Sequence, residues 1–227
     1  MRHFKSRRLA LIAWMTIGLL LVPVISHAAA CEPWAAKLVS LQGSVEIRRA
    51  AGVRWESAEL ETLLCPGDMV RVNKFSRAAL VLANNALVRL DQRTTILLDG
   101  PRPRKPFLVN LIEGLAYFFS RFPQKLEIVT PFVNAAIEGT EFTLSAVANH
   151  SLLTMIEGRV RVQNAAGSLS LKAGEAAIAR SGMAPRPVLV TRPRDAVHWA
   201  LYYPPIIYWQ PADFAGAPGS WQLRDPS

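Results

Sequence analysis

Beyond residue 30 the chain has two histidines, His150 and His198, and two cysteines, Cys31 and Cys65. A metal centre needs several His, Cys or carboxylate ligands, usually at short spacings. His150 sits between Asn149 and Ser151, and His198 sits near the C-terminus, each without a second His or Cys at ligand spacing. No metal site is expected. Glu138 and Glu141 come nearest to a carboxylate pair for general acid–base work. Their place on either side of Gly139 and Thr140 favours turn roles instead, with the carboxylates accepting backbone N–H bonds. There is no Gly-x-Ser-x-Gly elbow for a serine nucleophile and no glycine-rich loop to cradle a phosphate. The sequence therefore predicts no catalytic residue and no cofactor.

The elements that would position these groups centre on Ile128 to Val147, IVTPFVNAAIEGTEFTLSAV. Val133, Ala135 and Ile137 fall on odd positions, and Phe142, Leu144 and Ala146 on even ones. A strand has period two, so the apolar set changes face unless one residue is absorbed. Gly139 is the natural absorber, through a positive φ or a bulge, and Glu138-Gly139-Thr140 reads as a corner.

Ile-Glu-Gly recurs at 112–114, 137–139 and 156–158, and Leu-Gln-Gly stands at 41–43. Around Gly43, Gly114 and Gly158 the apolar phase runs straight through: Leu41, Val45 and Ile47 share a parity, as do Ile112, Ala116 and Phe118, and Ile156, Val160 and Val162. Gly158 should then tolerate alanine better than Gly139. Leu41 to Gly52 and Ile156 to Gly167 match at five of twelve positions. Each is followed by a glycine and an acid, Gly67-Asp68 and Gly174-Glu175, and a second alternating run. This predicts a repeated strand–turn–strand unit near residues 38–73 and 153–180. Gly43, Gly67, Asp68, Gly114, Gly139, Thr140, Gly158 and Gly174 are the expected structural turn positions.

At 227 residues the chain suits one domain with extensions. Met1 to Ala30 has a basic start, an apolar run from Leu9 to Val22 and small residues before Cys31, the three zones of a cleaved secretory leader. Cleavage would follow Ala28 or Ala30. The alternatives are an uncleaved membrane anchor and a lipoprotein at Cys31. The leader holds four of the 26 basic residues and none of the 17 acids, so the exported chain carries 22 − 17 = +5. That modest charge suits solubility or an anionic envelope surface, and an exported chain is not expected to meet nucleic acid. Export and an even cysteine count predict a Cys31–Cys65 disulfide, against the alternative of two thiols.

Short strands at close spacing with Gly and Pro turns predict an all-β sandwich or roll over residues 31–190. Strands are expected at 108–112, 115–119 and 126–130 among others. Pro101 to Pro106, PRPRKP, reads as a loop separating two halves. Residues 191–227 form an aromatic tail, in which Asp195 would cap a short helix from Ala196 to Tyr203. Trp199, Tyr202 and Tyr203 lie on that helix. They either dock on the chain's own sheet or meet a partner.

These residues resemble the FecR domain of bacterial envelope signalling proteins. The carriers are Gly43-Ser44-Val45, Pro66-Gly67-Asp68, Ser76-Arg77-Ala78, Thr130 to Ala135, Glu138 to Phe142, Glu157 to Val160 and Ala173-Gly174-Glu175, spanning about Leu38 to Ala179. The resemblance implies a jelly-roll-like or twisted β-helical domain that binds other envelope proteins and is not an enzyme. Well-known members pass a signal to a cytoplasmic sigma factor, through an anti-sigma segment for which eight residues before the apolar run leave no room. Asp195 to Pro205, DAVHWALYYPP, resembles an exported branch often joined to tetratricopeptide repeats. The expectation is a periplasmic protein-binding or sensing module, touching the membrane only through its leader. The alternative is an envelope β-sandwich binding a ligand or carbohydrate.

Overall fold

The computed structural model describes residues 31–102, 105–190 and 192–201. The leader, the centre of PRPRKP, and the tail from Tyr202 onward, including Tyr203, lie outside the described residues. Every core residue and both cysteines lie within the unit that starts at Cys31. Among the described residues no helix is long and apolar enough to cross a membrane.

The fold is all-β. Its strands are β1 Ala36–Gln42, β2 Val45–Arg48, β3 Glu56–Ser57, β4 Leu63–Leu64, β5 Met69–Val72, β6 Arg77–Leu82 and β7 Leu87–Leu90. Then come β8 Thr94–Arg102, β9 Lys105–Val129, β10 Asn134–Val147, β11 His150–Asn164, β12 Gly167–Lys172, β13 Ala176–Arg180 and β14 Met183–Val188. The main path runs β14-β13-β11-β10-β9-β7-β6-β1-β4, while β2, β3, β5 and β8 branch from β9 and β12 adds to β11. All the pairings are antiparallel. Val45, Val70 and Ile96 of the branch share one core with Leu80, Phe118, Leu144 and Leu153 of the main path.

The strands expected at 108–112, 115–119 and 126–130 are one strand, β9. It pairs with β8 up to Glu113, with β7 and β10 over Ala116 to Phe119, and with β10 again from Gln124. PRPRKP does not separate two halves. Arg102 pairs with Lys105, so the stretch is the tip of the β8–β9 hairpin. Pro101 and Pro106 sit at strand ends, where missing donors are tolerated. The Arg102 guanidinium donates to Pro106 O and to Glu127 Oε2, both at 2.8–2.9 Å, and pins the tip.

The face change sits where the alternation placed it, but in company. The β10 register shifts between Gly139 and Glu141, so Thr140 is the bulged residue. β9 also changes face, from Val109 and Leu111 to Ala116 and Phe118, around Gly114. β11 does so from Leu153 and Met155 to Val160 and Val162, around Gly158. The unbroken phase expected at those two glycines is thus corrected. Ile112 is 40% exposed, and Ile156 faces outward under the tail, so neither belongs to the main core.

Positive φ is divided against expectation too. Gly114 and Gly158 have φ of +101° and +106°, whereas Gly139 is absent from the left-handed region. Gly139 stands directly opposite Gly158 in the ladder. It is a close-approach glycine: a Cβ there would lie 2.5 Å from Met155 Cε and 2.8 Å from Glu157 O. A Cβ on Gly158 would fall onto Gly139 Cα, and 2.8 Å from Glu138 O. The expectation that Gly158 tolerates alanine better is overturned, because both its φ and its space exclude a side chain.

The two Gly-acid turns are the same turn. Asp68 N donates to Cys65 O (3.0 Å) and Glu175 N to Lys172 O (3.1 Å). Gly67 and Gly174, at the third position of each, have φ of +89° and +86°, as a type II turn needs. Each acid then accepts from the first residue's N–H: Cys65 N to Asp68 Oδ2 at 2.9 Å, and Lys172 N to Glu175 Oε2 at 2.7 Å. The repeat diverges in pairing. β5 returns to β2, whereas β13 returns to residues 150–154 of β11, upstream of Gly158. Asp68 is buried and also accepts from Ala50 N and Arg49 Nη1. Beside it, the Cys31–Cys65 disulfide spans a Cα–Cα distance of 5.6 Å.

Candidate functional site

Residues 115–119, LAYFF, form an unbroken apolar run, which in a strand means both faces are covered. Ala116 and Phe118 point inward, where Phe118 stacks on Phe142 with ring centroids 4.7 Å apart. Tyr117 and Phe119 point outward. Arg89 of β7 lies opposite Tyr117, and Glu141 of β10 lies opposite Phe119. The face change at Gly158 puts Ile156 of β11 on the same outer face.

The tail covers this face. Residues Pro193–Val197 form a 3-10 turn that runs into the short helix α1, His198–Leu201. Val197 and Ala200 are buried against Tyr117, with Phe119, Ile156 and Trp199 packed around them. Trp199 is partly buried, and its Nε1 donates to Ala196 O at 2.9 Å. The Arg89 guanidinium donates to Ala200 O at 2.6 Å, satisfying a carbonyl that a helix end leaves without an intrahelical partner. Asp195 does not cap the helix as expected. It lies inside the 3-10 turn, whose N-cap residue Arg192 makes no side-chain cap bond. The proline at 193 starts the turn without needing a donor.

Tyr117 donates its hydroxyl to Glu141 Oε1 at 2.9 Å. Burial pushes the phenol above its ordinary range. The Glu141 charge and the hydrogen bond push the same way, and Arg89 opposes them. A phenol so held is a structural donor, poorly suited to proton transfer near neutrality. The turn roles expected for Glu138 and Glu141 are corrected. Glu141 serves Tyr117, and Glu138 is exposed opposite Lys125 and Arg159. Neither accepts a backbone N–H among the described residues.

Beside the docked tail lies an open groove of about 460 Å³, lined by Ile156, Gly174 and Arg192 to Asp195. Among the described residues no cluster of three His, Cys, Asp or Glu could hold a metal. His150 Nδ1 lies 2.7 Å from Asn149 Oδ1 at the β10–β11 turn, while His198 opens α1. Around Trp55, which a sugar platform would use, Arg71 and Arg48 guanidiniums already lie 4.0 and 5.4 Å from the ring centroid. Glu46 holds Arg71 there. Its carboxyl is lowered first by the Asn73 amide and then by Arg71, with desolvation opposing.

The structure thus gathers Trp199 into the docking face and leaves the glycine turns and the disulfide elsewhere. Arg89 and Tyr117 were not singled out from the sequence, and Glu141 was read there only as a turn carboxylate. The signal that could have found them is the LAYFF run, which demands a cover on each side.

Residues 68–161 match the family model described as FecR protein. The match runs from β5 into β11 and is narrower than the resemblance seen in the sequence. No curated protein matches the chain. Two crystal structures of a candidate anti-sigma factor from Parabacteroides distasonis, at 2.50 and 1.65 Å resolution, share the fold. Each aligns with a TM-score of 0.52 at 17% identity over 58% of this chain. The chain spans 63% and 64% of the length of those structures.

Proposed function

We propose that this chain, which carries a FecR-like domain, is a non-catalytic regulatory module of the cell envelope that works by binding another protein. The family match and the likeness in fold support a regulatory role. The Cys31–Cys65 bond suits an oxidising compartment outside the cytoplasm, in keeping with the leader-like start. The observation that carries the reading is the tail docked on the outer face of the sheet. That face offers an aromatic surface to a short helix and holds its Ala200 carbonyl with Arg89. The partner engages at this junction, where the tail leaves the β-domain.

A photo-crosslinking residue at Trp199, used in living cells, tests this. A discrete intermolecular adduct in the envelope fraction, lost when Ala200→Arg displaces the helix, is expected. Adducts within the chain alone would sink the reading.

A further inference from the structure

One end of the sheet carries a row of exposed apolar side chains that the docking face does not use. Phe75 is 78% exposed, Val147 45%, Met183 41% and Ile112 40%. The strand register places them along one rim. Val72 pairs with Thr94, Thr95 with Glu113, and Gly114 with Ala146. Val147 pairs with His150, His150 with Arg180, and Arg180 with Met183. Phe75 joins this row through its turn, because its N–H donates to Gln92 Oε1 at 2.9 Å.

Phe75 is held there against its conformational preference. Its φ is +59°, in the left-handed region that a bulky residue rarely enters. The turn is braced from the next loop, where Ser44 N donates to Ser76 Oγ at 2.8 Å. Strain of this kind persists where surrounding structure over-determines it, commonly at ligand contacts. Here its product is an aromatic ring projected into solvent.

The charge of the rim is predominantly positive. Lys74 Nζ lies 4.6 Å from the Phe75 ring centroid, and Arg93 and Arg180 are exposed. None of the three is in an ion pair among the described residues. Of the nearby acids, Asp91 is paired with Arg77 at 3.3 Å, while Glu113 is an exposed, charged carboxylate, accepting only from the Thr95 hydroxyl at 3.1 Å among the described residues. Apolar tips on separate turns, interleaved with free cations, do not form a concave pocket. They suit a surface that takes protruding side chains without shape complementarity and is negatively charged.

We propose that this rim is a docking surface for an anionic lipid bilayer, with Phe75 entering the headgroup boundary and Lys74, Arg93 and Arg180 meeting lipid phosphates. The rim lies at the Gln42 end of β1, where Gln42 pairs with Arg77. The contact is independent of the tail-docking reading.

The test uses the oxidised chain from Cys31 onward, which holds the whole core and both cysteines. Co-sedimentation is measured with phosphatidylcholine vesicles, with and without phosphatidylglycerol. Binding should require phosphatidylglycerol, weaken with salt, and fall about fivefold for each of Lys74→Gln, Arg93→Gln and Arg180→Gln. Phe75→Gly should reduce binding by a similar factor without lowering the melting temperature, since glycine accepts the positive φ. Equal binding to neutral vesicles, no binding, or unchanged binding by Phe75→Gly would overturn the proposal. So would a wild-type dimer that ignores vesicles and is lost in Phe75→Gly, which would make the rim a contact between copies.

Discussion

Gly139 and Gly158 face each other across β10 and β11: a Cβ on Gly158 would fall onto Gly139 Cα, and a Cβ on Gly139 would meet Met155 Cε and Glu157 O. Only Gly158 also carries a positive φ, at +106°. The two strands can change face side by side because neither has a side chain at the crossing. The bulge at Thr140 and the shift between Glu157 and Met155 offset one another, so pairing resumes on both sides.

Alanine at either position should therefore destabilise the fold, and Gly158→Ala the more. Losses of about 1–3 kcal/mol are expected from backbone strain and close contact. Gly174→Ala is the control, since it has a similar φ but open space around it. Urea unfolding of the three variants checks the order. A Gly158→Ala loss no larger than that of Gly174→Ala would remove the argument from close approach.

The disulfide closes a loop with a sequence separation of 34 and ties the segment before β1 to the buried Asp68 turn. Reducing it should lower stability by about 2–4 kcal/mol. Thermal melts with and without reductant measure this, and non-reducing peptide mapping should recover Cys31 and Cys65 on linked peptides.

Tyr117 links the docking face to pH. Its phenol is raised in the folded chain by burial first, then by Glu141. The folded state thus keeps its proton to higher pH than the unfolded state does. The contribution is complete below the ordinary phenol value of about 10, and is lost as pH rises beyond it toward the raised folded value. Tyr117→Phe should cost about 0.5–1.5 kcal/mol at neutral pH through the lost hydrogen bond. It should also flatten the fall in stability above about pH 10. An equally steep alkaline fall in the variant would assign that fall to other groups.

The tail acts as a cover for its own sheet, so a chain ending at Arg192 should melt lower. Exposing the face under Val197 and Ala200 is worth about 1–3 kcal/mol, or roughly 2–12 °C in a chain of this size. Ala200→Arg should reproduce most of the loss, because Ala200 is 1% exposed. Calorimetry that shows no shift in either variant would mean the docked helix contributes nothing to the fold.

What the sequence determined by itself is local. Period-two alternation and Gly-Pro turns are enough for the all-β class, because a strand's faces are set by adjacent residues. The Gly-acid pairs were legible as matching turns, since a type II turn is built from four consecutive residues. Tertiary structure decided which apolar residues lie inside. Ile112 and Ile156 look like core in an alternation, yet one is exposed and the other lies under the tail. Alternation states only that two residues share a face, and which face is buried depends on what lies against it. The cover for Tyr117, Phe119 and Ile156 comes from residues 193–201, far along the chain. The joining of three expected strands into β9 has the same cause: β7, β8 and β10 supply its ladder partners in turn, and no short stretch of sequence records which partners will be there.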